Sequence, residues 1–272
     1  MSHSAGSAGP HKPLNTKAAH IELHFAVLLF GTAGLFGKWI PADPGIIVLG
    51  RSAFAAVAIF LVMRLSGIGL TITAGRPRAA MALSGIVLAL HWLTFFHAIQ
   101  VSTVAIGLVG FASFPVFVTL LEPLVSGQRI RSVDIVSMLV VVVGLLLVAP
   151  SFDLADSGTL GLTWAVLSGA LFAVLALLNR YLVSGNPFMT VSFYQHGIAA
   201  LVLVPFVFPD AGVPSGQTMG LLAVLGIVCT ALPQTLFIKS LSALKAQLVS
   251  IVTGLEPVYG IALAALLLHE IP

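Results

Sequence analysis

Apolar segments long enough to cross a lipid bilayer recur along this chain of 272 residues. A helix needs about 20 apolar residues to span a hydrocarbon core of roughly 30 Å. Short turns rich in Pro and Gly separate the segments. We therefore predict a polytopic, all-α membrane protein. Its nine predicted spans are His24–Ile40, Gly45–Leu65, Ala79–Val101, Thr103–Val125, Val133–Ala149, Leu160–Val183, Pro187–Phe208, Thr218–Leu241 and Ala246–Leu268.

The composition excludes other classes of protein. Only 8% of the residues are charged and 58% are hydrophobic, whereas a soluble domain carries about 25% charged residues. A soluble enzyme is therefore excluded. Cys229 is the single cysteine, which excludes a disulfide framework and a cysteine-based metal cluster. The basic residues are scattered, so the sequence predicts no nucleic-acid partner. It also predicts no metal and no cofactor. The expected surroundings of the protein are the lipid bilayer.

Basic residues predict the orientation, because Lys and Arg near span ends stay on the cytoplasmic side. With the amino terminus in the cytoplasm, Lys38 is the one basic residue outside and Arg51 lies within the second span. The other ten of the twelve basic residues then lie inside, namely Lys12, Lys17, Arg64, Arg76, Arg78, Arg129, Arg131, Arg180, Lys239 and Lys245. We therefore predict a cytoplasmic amino terminus.

The chain contains a weak internal repeat. A shift of 142 residues lays spans one to four on spans six to nine, and five spans per copy is an odd number, so the second copy is inverted in the membrane. Matched residues include Phe95 with Phe237, Pro115 with Pro257, Lys38 with Arg180 and His97 with Lys239. We predict a disordered tail over 1–22, a first repeat over 23–150 and a second over 158–272. The partner of the fifth span is expected at about 275–291, beyond Pro272, so nine of ten helices are present.

Several loose motifs follow one another in a fixed order over essentially the whole chain, namely 95–99 with 102–105, 237–241 with Ala246, Glu256-Pro257, His269-Glu270, and Arg51 in the second span. Together they resemble the EamA-type permeases of the drug/metabolite transporter superfamily. That resemblance implies a basket of ten helices with a central cavity, which exports small organic solutes across the bacterial inner membrane. In such folds the tenth helix contributes to dimer contacts, so a homodimer is an expected partner. Aromatic residues on the presumed cavity helices resemble the branch that exports aromatic and other amino acids.

Polar side chains in hydrocarbon are costly and normally face a cavity or a partner. His91 and Trp92 fall near the middle of the third span, and Phe95 shares a face with His91 at the i, i+4 spacing. An imidazole and an indole suit a zwitterion with an aromatic or apolar side chain. The three residues are therefore candidates for substrate binding. The alternative is a histidine bonded to a neighbouring helix and a tryptophan that only packs.

Prolines interrupt both halves at matched positions. Pro257 follows Glu256 in the ninth span, and Pro115 lies at the equivalent place in the fourth. Local unwinding there would supply a hinge and unpaired backbone groups. Glu256 is a candidate for binding substrate or a proton, or it caps the broken turn. Pro233 in the eighth span is a similar break without a matching proline.

The remaining candidates lie nearer the predicted membrane surfaces. Arg51 either pairs with a substrate carboxylate or snorkels to the outer surface. Tyr194 and Gln195 are candidates for the cavity floor, and Trp164 for the outer wall or the interfacial aromatic belt. Lys239 lies where a gate would be, although an ordinary interfacial anchor fits its position as well.

A secondary transporter with two rocking halves accounts for these features together. The predicted cargo is amino acids, aromatic ones included; the alternative is other metabolites or cationic drugs. An intramembrane enzyme would need a nucleophile with its base or a metal motif, and the sequence has no HExxH. A channel would need a repeated ring of filter groups. No GxxxxGK[ST] motif occurs, which argues against direct ATP drive.

Overall fold

The computed structural model describes residues 16–72, 78–127, 130, 132–148, 153–207 and 214–269, and within these ranges the only regular elements are helices. Eight helical stretches are long and apolar enough to cross a membrane, and a shorter apolar helix covers Ser132–Leu147. The prediction of an all-α polytopic membrane protein is confirmed. Spans 1 to 5 contain Thr16–Ala33 with Phe36–Trp39, Pro44–Leu65, Arg78–Val101, Val104–Phe111 with Phe114–Ser126, and Ser132–Val148. Spans 6 to 9 contain Ser157–Val183, Phe188–Val207, Gly216–Gly226 with Ile227–Ala231 and Leu232–Leu241, and Ala246–Thr253 with Glu256–Leu267.

The first helix begins earlier than predicted. It starts at Thr16, so the predicted disordered tail over 1–22 is wrong for residues 16–22, while 1–15 lie outside the described residues. Ala19 and Leu23 are buried on one face of this extension, and Glu22 forms an ion pair with Lys239 of span 8. A polar first turn therefore folds because it packs against another span.

Side-chain caps start several helices at one end of the bundle. Thr103 accepts a hydrogen bond from the amide of Ile106 at 3.1 Å, and Asp156 accepts one from Thr159 at 2.9 Å. Such caps satisfy amide groups that have no partner within the helix.

The basic residues are concentrated at the opposite end of the bundle, where span 1 begins, and we call it the basic end. Of the described Lys and Arg residues, six lie there (Lys17, Arg64, Arg78, Arg180, Lys239 and Lys245), while Lys38 lies at the opposite end.

Spans 4 and 9 each break into two helices ahead of a proline. The turn of span 4 is tightened by a bond from the Ser113 amide to the Gly110 carbonyl at 3.1 Å, and that of span 9 by a bond from Leu255 to Val252 at 3.1 Å. Both predicted breaks are present. They are, however, tight turns of the i to i−3 type, so the amides of Ser113 and Leu255 are paired instead of being bared by unwinding.

The spans pack in a two-fold related pattern. Span 3 packs against spans 6 and 7, and span 8 packs correspondingly against spans 1 and 2. Span 4 lies on span 6 as span 9 lies on span 1, while the pairs 2 with 7 and 4 with 9 lie on the pseudo-axis. This is the pairing expected of an inverted repeat. Span 5 packs mainly on span 4 and exposes most of its apolar side chains.

Two glycines show the repeat at atomic detail. A Cβ on Gly85 of span 3 would lie 2.6 Å from the Cβ of Ile198 and 3.1 Å from the Gln195 carbonyl oxygen of span 7. A Cβ on Gly226 of span 8 would lie 2.6 Å from the Cβ of Phe54 and 2.8 Å from the carbonyl oxygen of Arg51 in span 2. The two close approaches are equivalent.

This match refines the register of the repeat. Gly85 and Gly226 are 141 residues apart, whereas His97 and Lys239, further along the same two spans, are 142 apart. The additional residue of span 8 lies between these points, where the segment Ile227–Ala231 has π-helical hydrogen bonds. A π turn contains more residues than an α turn, so the π segment accommodates that residue.

Candidate functional site

A small cavity lies at the centre of the bundle, where spans 1, 2, 3, 4, 6, 8 and 9 meet. Its volume is about 20 Å³, which is room for about one water molecule, so a larger ligand fits only when the bundle opens. Both halves of the chain contribute side chains to it. The lining residues are Phe30, Ala33, Arg51, His91, Trp92, Phe95, Phe111, Phe172, Gln234 and Glu256. Five of the eight residues predicted to bind substrate thus line one cavity, namely Arg51, His91, Trp92, Phe95 and Glu256.

Arg51 is held in the cavity wall rather than snorkelling to the surface. Its side chain is buried, with 2% exposure. The Nε atom donates a hydrogen bond to the Thr230 hydroxyl at 3.0 Å. The guanidinium carbon lies 3.9 Å from the centre of the Trp92 ring and 5.1 Å from that of Phe96, close enough for cation–π attraction. Two rings and a hydroxyl therefore surround the buried guanidinium group of Arg51.

Glu256 provides a carboxyl group in the same cavity. It is 5% exposed and starts the second helix of span 9. Within the described residues its carboxylate has no hydrogen-bond partner and no basic group within 4.0 Å. Gln234 lies on the same wall, and its Nε2 is buried without a partner among those residues. Buried polar groups are normally paired, so this part of the cavity is a strong candidate for ligand binding.

His91 presents one ring nitrogen to the cavity. Its Nδ1 lies 3.1 Å from the Ser168 carbonyl oxygen and 2.8 Å from the Ser168 hydroxyl, and that hydroxyl also lies 3.1 Å from the His91 carbonyl. Because a carbonyl only accepts, Nδ1 is assigned as the protonated nitrogen. Nε2 of the neutral ring is then an acceptor for a ligand. The two predicted roles of His91, a bond to a neighbouring helix and a place in the cavity, are thus combined.

Aromatic rings form the rest of the wall. The His91 ring centre lies 4.9 Å from that of Phe172, 5.4 Å from Phe111 and 6.3 Å from Phe95. Phe30 closes another side and contacts Phe237 edge to face at 6.2 Å. Such walls favour an apolar or aromatic ligand group. A small-molecule site typically has a small number of polar atoms in a wall of apolar rings.

Three residues predicted to bind substrate lie away from the cavity. Trp164 packs edge to face against His97 at 5.1 Å, near the end opposite the basic end. Tyr194 donates its hydroxyl to the Leu70 carbonyl at 2.9 Å, near the basic end. Gln195 donates to the Asn179 side chain and is fully buried. The structure thus places these side chains between spans or at a loop.

The predicted hinge and gate residues lie at helix starts and at the basic end. Pro115 and Pro257 each lie in the first turn of a helix that follows a break. The predicted break at Pro233 is wrong, because span 8 stays helical there and Pro233 directly follows its π-helical segment. Lys239 donates to Glu22 of span 1 at 2.6 Å. A shift of 142 relates this pair to His97 and Trp164. Equivalent side-chain contacts therefore join spans 1 and 8 at the basic end and spans 3 and 6 at the opposite end.

Sequence reasoning assigned no role to several cavity residues. Phe30 and Phe172 are 142 residues apart, so the repeat itself could have indicated them. Gln234 directly follows Pro233, which the sequence indicated only as a helix break. Thr230, which bonds Arg51, carries no sequence signal, because a single threonine in an apolar segment is common.

Comparison with known proteins shows that this chain is similar to transporters. Residues 159–272 match the model of the EamA-like transporter family. The chain is 28% identical over 227 residues to the pseudopaline exporter CntI of Pseudomonas aeruginosa, covering 83% of this chain and 78% of the relative. It is 25% identical over 250 residues to the uncharacterized transporter YxxF of Bacillus subtilis, covering 90% and 80%.

A solved crystal structure has the same fold, with a TM-score of 0.72 and 18% identity over 94% of this chain and 89% of the other. The helical architecture and the central cavity agree with the family match. Residues 159–272 thus match the EamA-like transporter family, and most of the chain is similar to proteins named as transporters.

Proposed function

We propose that this transporter exports amino acids, aromatic and large apolar ones included, across the bacterial inner membrane. One observation carries the proposal: Arg51 and Glu256 line the same aromatic cavity without forming an ion pair with each other. Charges within a membrane protein are costly and usually pair. A zwitterion that binds between the two residues would pair both of them at once.

The polar atoms of the cavity match the two ends of an α-amino acid. The Nη atoms of Arg51 and the Nε2 of Gln234 are donors without a partner in the described part of the chain, and they suit a carboxylate. The Glu256 carboxylate and the His91 Nε2 are acceptors, and they suit an ammonium group. The ring walls of Phe111 and the neighbouring phenylalanines then receive the side chain.

Transport would proceed by alternating access of the two inverted halves around this cavity. Rocking would open the contact between Lys239 and Glu22 at one end, and that between His97 and Trp164 at the other. The excess of basic residues at the first end supports a cytoplasmic amino terminus. Export is the favoured direction because one relative is named as an exporter.

Counterflow of labelled phenylalanine in proteoliposomes tests the proposal. Two competitors isolate the two charges: phenylalaninamide lacks the carboxylate and N-acetylphenylalanine lacks the ammonium group. We expect phenylalanine to compete and both analogues to compete poorly. Arg51→Gln should lower kcat/KM for phenylalanine about 100-fold, because truncating one partner of a buried charge pair in a binding site costs about 2–5 kcal/mol.

Arg64→Gln is the matched control, because Arg64 lies on the same helix but is exposed at the basic end. It should transport phenylalanine like the wild type. If neither phenylalanine nor any other amino acid moves, the proposal is rejected. If phenylalaninamide moves as fast as phenylalanine and Arg51→Gln has no effect, the cargo is a cationic solute instead.

A further inference from the structure

Span 8 contains a π-helical segment, Ile227–Ala231, next to the cavity. Within it the hydroxyl of Thr230 donates to the carbonyl of Leu225 at 2.6 Å, five residues earlier. In an α-helix a threonine hydroxyl reaches the carbonyl three or four residues back. The π turn therefore gives this hydroxyl a different partner, and π segments inside helices are frequent at functional sites.

Thr230 is fully buried and faces Arg51. Because its hydroxyl hydrogen is used for Leu225, the oxygen is left as an acceptor, and it accepts from the Nε of Arg51 at 3.0 Å. A neutral hydroxyl thereby fixes one edge of a charged group. The contact joins spans 2 and 8.

The bond at Nε determines how the rest of Arg51 is presented. A guanidinium group carries five N–H donors in one plane. Its central carbon lies 3.9 Å from the centre of the Trp92 ring, and the bond at Nε restrains the group from turning within its plane. The four Nη hydrogens have no partner in the described part of the chain. They form the fork that binds a carboxylate at two points.

We propose that Thr230 is a positioning residue, which orients the Arg51 fork toward the carboxylate of the substrate. The inference rests on the proposed function of the cavity. The neighbouring half has no such arrangement, because span 3 is an uninterrupted α-helix over Arg78–Val101. The π segment of span 8, which span 3 lacks, therefore brings a residue of the second half to orient the arginine of the first half.

The test measures kcat and KM for phenylalanine and its preference over phenylalaninamide. Thr230→Val keeps the shape of the side chain but removes the acceptor. It should raise KM for phenylalanine about tenfold, as expected for a lost hydrogen bond to a charged group, with kcat little changed. The preference over the amide should fall by the same factor. Thr230→Ser should restore both values. Should Thr230→Val fail to fold, Thr230→Ala removes the same acceptor.

Thr253→Val is the matched control, because Thr253 is equally buried and its hydroxyl donates only to Val249 of its own helix. It should retain the wild-type preference. Equal losses for phenylalanine and its amide in Thr230→Val, or no recovery in Thr230→Ser, would overturn the positioning role.

The two proposals fail in different ways. If Arg51→Gln abolishes the preference for a carboxylate while Thr230→Val keeps it, only the role of Thr230 is wrong. If the wild type shows no such preference, the zwitterion site is wrong and the role of Thr230 falls with it.

Discussion

Spans 4 and 9 hold equivalent places in the two halves and break in the same way, yet they present different residues at the break. Pro115 follows Phe114 in span 4, and Pro257 follows Glu256 in span 9. The hydrogen bonds around the two turns match one for one. Val116 donates to Ser113 at 2.9 Å in span 4, and its equivalent in span 9 has a bond of 3.0 Å.

Phe114 and Glu256 have different surroundings. Phe114 stacks on Phe111 at 5.2 Å and meets Phe172 edge to face at 5.2 Å, fully buried in the aromatic cluster. Glu256 instead lines the cavity without a partner in the described chain. A repeated backbone therefore supplies the same break twice, while the side chain at the break decides whether it packs or offers a charge.

The largest expected effect separates these two residues. Glu256→Gln keeps the size of the side chain but removes the negative charge that would bind an ammonium group. We expect kcat/KM for phenylalanine to fall about 100-fold in proteoliposome counterflow, from the loss of one partner of a buried charge pair.

Phe114→Leu should retain transport and lower the unfolding free energy by about 1 kcal/mol, as apolar replacements of similar volume do. The melting temperature of the purified protein checks this change. Equal losses of transport in Glu256→Gln and Phe114→Leu would remove the functional distinction between the two breaks.

An intermediate effect concerns the prolines. Pro115→Ala and Pro257→Ala restore an amide donor, so the helix can close across the break and the hinge stiffens. We expect each variant to slow turnover about tenfold, equivalent to about 1.4 kcal/mol in the barrier, with a smaller change in KM. Stopped-flow or counterflow rates at saturating phenylalanine measure it.

Pro123→Ala provides the control, because Pro123 lies inside the second helix of span 4 and away from the break. Its turnover should equal that of the wild type. Unchanged turnover in both Pro115→Ala and Pro257→Ala would eliminate the hinge.

The smallest effect distinguishes the two ends of the bundle. The ion pair of Lys239 with Glu22 is partly exposed, with side-chain exposures of 22% and 28%, so it contributes about 0.2–1 kcal/mol. Lys239→Met should therefore change the transport rate less than about fivefold and remove its dependence on salt.

The equivalent contact at the other end is aromatic and should respond differently. Trp164→Phe keeps a ring for His97 to contact, so the rate and its salt dependence should resemble those of the wild type. A strong salt dependence that persists in Lys239→Met would show that this pair does not control opening at the basic end.

Much of the fold follows from local sequence. Apolar runs set the spans, because hydrocarbon accepts only segments whose backbone is internally bonded. Pro115 and Pro257 set the breaks, because proline lacks an amide hydrogen. The sequence did not predict that the first helix begins at Thr16, because this extension depends on the ion pair that Glu22 forms with Lys239 of another span.

The candidate site was only partly predictable. The sequence indicated His91, Trp92 and Glu256 because polar groups in hydrocarbon are costly and normally face a cavity or a partner. Gln195 stood out by the same rule, but its partner is Asn179 of the preceding span rather than a ligand. A sequence reveals that a buried polar group must be paired without revealing the partner.

The amino-acid sequence alone is enough to predict a membrane protein, its spans and its internal repeat. The membrane class and the spans depend on the lipid around the chain, and the repeat depends on the spacing of residues along it. The tertiary structure alone decided that Arg51, far from Glu256 in sequence, shares a cavity with it, and that Thr230 fixes its orientation. The physical reason is that binding depends on which side chains converge in space. Helix packing and one π turn set that convergence, and neither follows from local pattern.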